Sequence, residues 1–181
     1  MALPSTIYTI AIDLSDIDRG VYESLSLKVA RHPSETEEYL VARVLAYCLE
    51  CAEGLNFSRG LAEPDEPALS VRDLTGELIA WIEVGQPDAA RLHKASKLAR
   101  RVVVYTQKEA RHLVRQLAGE RIHRAEELEL YAIDRGLLAE LTGRLERRMT
   151  LGVSVADRHL FVTVDGTTIE GRVERIRMDE A

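Results

Sequence analysis

One carboxylate lies where the sequence predicts the end of a buried strand. Leu78 to Val84 is almost continuously apolar, which predicts a strand covered on both faces, and Glu83 is near its carboxyl end. A buried carboxylate is costly unless it is ion-paired, hydrogen-bonded or bound to a metal. Ligand sites in open α/β sheets favour the carboxyl ends of strands. We therefore interpret Glu83 as a site residue, with a core ion pair to an arginine as the alternative.

Two further acids precede the strand that should pair with this one. Residues 68–72 are strand-like, and Asp73-Leu74-Thr75-Gly76 is typical of a hairpin turn into Leu78–Val84. A hairpin brings the start of its first strand beside the end of its second, so Asp65 and Glu66 should lie near Glu83. Converging carboxylates either raise one another's pKa or bind a divalent cation. Taken without the hairpin, Asp65 and Glu66 are ordinary solvated loop acids.

Other polar side chains could complete such a site. Lys94 lies at the margin of the packed face of the next predicted helix, within a basic run from Arg91 to Arg101. Glu38 lies at the edge of the apolar stripe of an earlier helix, where it either orders a metal-bound water or is simply solvated. The candidate anion-binding residues are Arg31, Ser34 and Arg59, with Ser34 at a helix N-terminus. A structural ion pair is the alternative role for Arg31.

Hydrophobic periodicity predicts the elements that would position these residues. Two antiparallel strands over 6–14 and 22–30 come first, and a capping box of Ser34 and Glu37 starts a helix that runs to about Glu53, before Gly54. Residues 56–67 are predicted to be irregular. The remaining predictions are strands over 68–72, 78–84, 102–106 and 127–133, helices over 89–100, 108–118 and 137–146, and two or three hairpin-linked strands over 150–176. The fold class is therefore α/β or α+β, with a mixed β-sheet flanked by helices in a single domain over 1–181.

Composition excludes several classes of protein. The chain has 181 residues and a net charge of −6, which argues against a histone-like or polybasic protein because its long-range field repels phosphate. No apolar run is long enough to cross a membrane, and the N-terminus is not that of a secretory signal, so a cytoplasmic location is expected. Cys48 and Cys51 form a CxxC without further ligands nearby; small buried side chains are a better interpretation than a redox pair or half a zinc site.

Several segments together resemble the YaeQ family of bacterial proteins over essentially the whole chain. The segment around residues 31–36 and the one around residues 81–85 are the most specific. The matching segments are Arg31-His32-Pro33-Ser34-Glu35-Thr36, Phe57-Ser58-Arg59-Gly60-Leu61, Asp65-Glu66-Pro67, Trp81-Ile82-Glu83-Val84-Gly85, Pro87-Asp88, Lys94-Ala95 and Met149-Thr150-Leu151.

The resemblance implies a variant of the PD-(D/E)XK nuclease-like fold, with a core of order αβββαβ over about residues 34–133 and extra N- and C-terminal strands. In that superfamily, two acids on the hairpin bind Mg²⁺, and Glu83 matches the second, with Glu66 or Asp65 as the first. A lysine normally follows the second acid by two residues, where this chain has Gly85. Some members supply the lysine from the following helix, which Lys94 would match, and Glu38 would match an acid on the first helix.

Two functional hypotheses follow. The first is a metal-dependent nuclease or phosphodiesterase with Mg²⁺ (or Mn²⁺ as a substitute) at Glu66, Asp65 and Glu83, helped by Lys94 and Glu38. In it, Arg31, Ser34 and Arg59 hold flanking phosphates. The second is a catalytically inactive nuclease-fold module that binds nucleic acid or a protein partner in a regulatory role. The net charge predicts that any binding to nucleic acid is weak, local and dependent on salt.

Overall fold

Ten strands form one sheet within the described part of the chain. The computed structural model describes residues 3–58 and 65–180. The strands are β1 (Thr6–Asp16), β2 (Val21–Arg31), β3 (Leu55–Phe57), β4 (Leu69–Arg72), β5 (Leu78–Val84), β6 (Arg101–Thr106), β7 (Glu129–Ile133), β8 (Arg148–Ala156), β9 (His159–Val164) and β10 (Thr167–Ile176). The α-helices are α1 (Glu37–Leu49), α2 (Ala89–Leu98), α3 (Ala110–Leu117) and α4 (Arg135–Thr142), with short 3₁₀ turns at Ala125–Glu127 and Met178–Glu180. The spatial order is β2-β1-β8-β9-β10-β7-β6-β5-β4-β3. The predicted mixed α+β architecture is confirmed.

The hairpin that carries Glu83 has the predicted pairing. β4 runs antiparallel to β5, with Leu69 opposite Ile82. β5 runs parallel to β6, and α2 makes the crossover between them. The carboxyl ends of β5 and β6 therefore meet at one edge of the sheet, beside the residues that enter β4.

Alternating side chains of β5 and β6 divide the core between the two faces of the sheet. Ile82 and Val103 pack with α1 and α4 in the larger hydrophobic cluster. Trp81 and Val104 pack with α2 and α3 in the smaller one. Glu83 follows Trp81 by two residues, so its side chain starts on the α2 face. Within the described residues, the helices lack the length and apolar character needed to cross a lipid bilayer.

The first helix begins later than the capping box predicts. Thr36 is its N-cap, and its hydroxyl accepts a hydrogen bond from the Tyr39 amide at 3.0 Å. Ser34 instead lies within hydrogen-bonding distance of the His32 ring, 2.6 Å from Nδ1. An N-cap oxygen must lie next to the second or third amide of the helix, and Thr36 meets that condition because α1 starts at Glu37.

The same helix ends at Leu49, before the predicted end at about Glu53. The Arg19 guanidinium donates to the carbonyl oxygens of Leu49 and Cys51, both at 2.8 Å. Carbonyls at a helix end have no partners within the helix, so a side chain from the β1–β2 turn satisfies them. The short strand β3, predicted as irregular from Asn56 on, then pairs with β4.

Both cysteines are buried and free, as expected for small core side chains. Burial raises the pKa of the Cys48 thiol from its usual value of 9.0 to about 12. The raised pKa means that folding favours the protonated thiol. Its contribution to stability is present below pH 9.0 and is lost as the pH rises towards about 12.

We therefore expect thiol reactivity to be suppressed in the native protein, because the thiolate is the reactive form. In a Cys51→Ala variant, Cys48 should react with a disulfide reagent at pH 8 far more slowly than in the same protein unfolded in denaturant. Comparable rates in the two states would contradict the burial of Cys48.

Candidate functional site

A cavity of about 480 Å³ opens at the carboxyl ends of β5 and β6. We call it the strand-end cavity. Glu83 and Gly85 reach it from β5, Gln107 from the end of β6, and Tyr39 and Arg43 from α1. The Gly85 amide donates to the Tyr105 carbonyl at 2.9 Å, which holds the two strand ends together. Gly85 has a φ of +109°, a conformation that favours glycine, so the chain can turn away here without a side chain entering the cavity.

Glu83 is an ion-paired carboxylate. It is 5% exposed, and Arg91 donates to both of its oxygens, Nε to Oε2 at 2.7 Å and an Nη to Oε1 at 2.9 Å. The Trp81 indole N–H adds a hydrogen bond to Oε1 at 2.9 Å. Hydrogen bonding to Glu83 raises the pKa of Arg91 above its usual value. The core ion pair with an arginine, which the sequence offers as the alternative role of Glu83, is therefore present.

Arg91 lies beside Glu83 because α2 begins only a few residues after the end of β5. Asp88 is the N-cap, and its carboxylate accepts from the Arg91 amide at 2.8 Å. The Arg91 side chain also donates to the Glu66 carbonyl at 2.6 Å. The residues before β4 thus lie beside the end of β5, as the hairpin predicts.

The other candidate acid and lysine pair with each other. Lys94 Nζ lies 2.5 Å from Asp65 Oδ1, and both side chains are exposed to solvent. The hydrogen bond from Lys94 lowers the pKa of Asp65. The pair lies on the surface, and neither residue lines the strand-end cavity.

The proposed magnesium ligands do not fit a metal ion in this arrangement. Both oxygens of Glu83 already accept hydrogen bonds from cationic or neutral donors, and Asp65 is paired with Lys94. Over residues 3–58 and 65–180, no three His, Cys, Asp or Glu side chains are grouped so that they could hold a metal ion. Glu66 and Glu83 do line the same cavity.

The remaining candidates are dispersed. Glu38 is half-buried on the first turn of α1 and does not line the strand-end cavity. Arg31 donates to the Glu35 carbonyl at 2.9 Å, which is a structural role. Ser34 is exposed at the His32 contact described above. Arg59 lies outside the described residues.

A buried ion pair that we did not predict forms one wall of the cavity. Arg43, in the middle of α1, donates to Glu35 Oε2 at 2.7 Å and to the Ala30 carbonyl at 2.8 Å. Both charged side chains are almost fully buried. A charged residue within the otherwise apolar stripe of α1 was the one sequence signal that could have drawn attention to this pair.

A second surface with functional character lies between α3 and β10. Four exposed arginines line a concave region there, at positions Arg111, Arg115, Arg175 and Arg177. We call this the arginine surface. None of the four forms an ion pair with a carboxylate of the described residues, although Glu174 also lines the region.

Comparison with known proteins gives one consistent family. The model of the family described as "YaeQ protein" matches residues 1–173. An uncharacterized YaeQ protein of Escherichia coli K12 is 33% identical over 171 residues, which cover 94% of each chain. The YaeQ protein of Salmonella typhi, also described as uncharacterized, is 34% identical over 164 residues, covering 90% of this chain and 91% of that one.

Solved structures agree with this result. The crystal structure of the Pseudomonas syringae YaeQ protein superposes with a TM-score of 0.87 at 35% identity and covers 97% of this chain and 98% of that one. The structure from Xanthomonas axonopodis pv. citri has a TM-score of 0.85 at 33% identity, with coverage of 94% and 97%. Sequence and structure therefore agree that the chain belongs to the YaeQ family.

Proposed function

We propose that this protein is a nucleic-acid-binding module of nuclease-like fold that does not cleave its ligand. One observation carries the choice against cleavage: Arg91 and Trp81 together occupy both oxygens of Glu83. A carboxylate held in this way is unavailable to polarise a phosphate or activate water through a cation. Separating the pair would leave the buried Glu83 carboxylate without its cationic partner, so the paired arrangement is favoured.

The order of elements supports the nuclease-like part of the proposal. From α1 to β6 the chain runs α1-β3-β4-β5-α2-β6, which is the αβββαβ order of the PD-(D/E)XK core. With β3, which the sequence did not predict, the chain has the three consecutive strands that this order requires. Because a fold can lose its chemistry and keep its shape, this order supports the fold relationship and leaves activity to the site.

The arginine surface supports nucleic acid as the ligand. Four guanidinium groups line one concave surface and form no salt bridge within the described residues, although Arg175 donates to the Tyr131 hydroxyl at 3.2 Å. A cluster of guanidinium groups suits the repeated phosphates of a nucleic acid backbone. The net charge of −6 opposes long-range attraction, so binding depends on this local concentration of positive charge. We expect modest affinity that falls as salt increases.

A metal-dependent phosphodiesterase is the second candidate. It is favoured because Glu66 and Glu83 both line the strand-end cavity. Arg91 donates to the Glu83 carboxylate and to the Glu66 backbone carbonyl. For this function Arg91 would have to leave Glu83, and Lys94 would have to leave Asp65.

A cleavage assay separates the two candidates. Labelled single- and double-stranded DNA and RNA are incubated with the wild-type protein and Mg²⁺ or Mn²⁺, in parallel with Glu83→Ala and Lys94→Ala. We expect binding without cleavage. Metal-dependent cleavage by the wild type that both substitutions abolish would establish the phosphodiesterase and refute our proposal.

The arginine surface gives a quantitative binding prediction. An Arg111→Gln/Arg115→Gln double variant should bind single-stranded DNA more weakly, because two phosphate contacts are lost. The slope of log K against log salt should become less steep by about 1–2 units. Fluorescence anisotropy over a series of salt concentrations measures both quantities.

The matched control for this prediction is Arg100→Gln. Arg100 is an exposed arginine whose guanidinium is paired with Glu77 at 2.7 Å and does not line the arginine surface. Its replacement should leave the salt slope unchanged. A loss per removed charge that is the same in the control and the double variant would show that binding responds to total charge and not to this surface.

A further inference from the structure

We propose that the strand-end cavity binds a nucleobase. Adenine fits best, through the edge that carries N6 and N7. This inference rests on the proposed function and identifies the part of the nucleic acid that this cavity would bind. The arginine surface then holds phosphate, and the cavity holds a base that has left its stack. The base could belong to a nucleic acid strand or to a free nucleoside. Measuring the binding of both kinds of ligand distinguishes the two.

Gln107 carries the inference. The residue is 7% exposed and lines the cavity, and its Oε1 is buried without a hydrogen-bond partner within the described residues. A buried amide oxygen left unpaired costs free energy, so such a group is normally satisfied by a ligand or water. A side-chain amide offers an acceptor next to a donor, and glutamine pairs in this way with the N6 and N7 atoms of adenine.

Gly85 lies beside this amide and adds no side chain to the cavity. A Cβ built on Gly85 would lie 3.9 Å from Gln107 Oε1 and 3.6 Å from Cε2 of the Tyr39 ring. These are ordinary contact distances, so a side chain longer than Cβ would compete with a ligand for the space beside the amide and the ring. In the PD-(D/E)XK pattern that the sequence resembles, a lysine stands at this position. Gly85 leaves the cavity without that positive charge.

Tyr39 supplies an aromatic wall. It is half-buried on the first turns of α1, and its ring lines the cavity beside Gly85. Burial raises the pKa of its phenol to about 12, so the ring is uncharged at neutral pH. An aromatic side chain next to a hydrogen-bonding amide is a common arrangement for holding an unstacked base.

The charges of the cavity favour a neutral ligand over a phosphate. Three carboxylates line it, from Glu35, Glu66 and Glu83, against two guanidiniums, from Arg43 and Arg91. Arg43 and Arg91 are already paired with Glu35 and Glu83. A phosphate would meet an excess of negative charge here, whereas an uncharged base would not. The volume of about 480 Å³ is within the range of small-molecule sites.

The test measures binding of adenosine, of ribose 5-phosphate and of a single-stranded oligonucleotide with 2-aminopurine in place of one adenine. Gln107→Met removes the amide at nearly constant volume. Asn56→Leu is the control, because Asn56 is an exposed side-chain amide on β3 that donates to the Gly54 carbonyl and does not line the cavity. We expect Gln107→Met to weaken adenosine binding about tenfold or more, the control to have no effect, and ribose 5-phosphate not to compete.

A second measurement covers the case in which Gln107→Met does not fold. In the isotopically labelled wild type, the side-chain amide resonances of Gln107 should shift when adenosine is added, while those of Asn56 should not. Unchanged Gln107 resonances, an unchanged affinity in a folded Gln107→Met variant, or effective competition by ribose 5-phosphate would each overturn the inference.

The oligonucleotide separates this inference from the function on which it rests. If the strand binds but adenosine does not and 2-aminopurine shows no change in fluorescence, the base site is refuted and nucleic-acid binding stands. If adenosine binds through Gln107 and no strand binds, the proposed function fails and the cavity is a site for a free nucleoside. If neither binds, both are refuted.

Discussion

Replacing Arg43 with methionine is expected to lower the free energy of unfolding by about 3–5 kcal/mol, because it leaves a buried carboxylate without its partner. Arg43 is 3% exposed and Glu35 is 5% exposed, and their atoms approach to 2.7 Å. Arg43 also donates to the Ala30 carbonyl at the end of β2, so the substitution removes a link between β2 and α1. Chemical denaturation followed by circular dichroism measures the change.

An exposed pair provides the control for Arg43. Arg144 and Glu140 are 3.9 Å apart on the surface, and Arg144→Met should cost less than about 1 kcal/mol. The double variant Arg43→Met/Glu35→Leu should recover much of the loss, because it removes the stranded charge as well as its partner. A loss in Arg43→Met no greater than that of the control would contradict the burial of the pair.

The sequence was sufficient to predict the hairpin and the position of Glu83. A continuous apolar strand after a turn motif has few alternatives, and the antiparallel register then places residues 65–67 beside residues 83–85. Thr36 and β3 were missed for local reasons: two hydroxyl side chains compete for one cap, and a strand of three residues is too short to show alternation.

Which arginine pairs with Glu83 could not be predicted from the sequence, for a different reason. The basic run from Arg91 to Arg101 contains five cationic side chains, and the one that turns towards the end of β5 is decided by how α2 crosses the sheet. Gln107 was equally hidden, since one amide after a short strand has no periodic signature. Its place in the cavity depends on how α1 and β5 pack around the end of β6.

Replacing Arg91 with methionine is expected to cost about 2–3 kcal/mol of unfolding free energy at neutral pH. Glu83 would keep the hydrogen bond from Trp81 but lose both bonds from the guanidinium. The loss should be smaller than for Arg43 because the Arg91 side chain is 29% exposed, which lets water reach the carboxylate after the substitution. Thermal and chemical denaturation of the variant measure this effect.

The same variant tests whether Arg91 occupies the place of a metal ion. If the cavity is built around the ion pair, Mg²⁺ or Mn²⁺ should not restore the stability of Arg91→Met, because the freed Glu83 has no group of three described ligand side chains around it. The matched control is Lys94→Met, which frees the exposed Asp65 and should change stability little. If either cation raises the melting temperature of Arg91→Met but not of Lys94→Met, Glu83 is a latent metal ligand. Arg91 would then act as a removable counter-ion, and the phosphodiesterase would become the better assignment for the strand-end cavity.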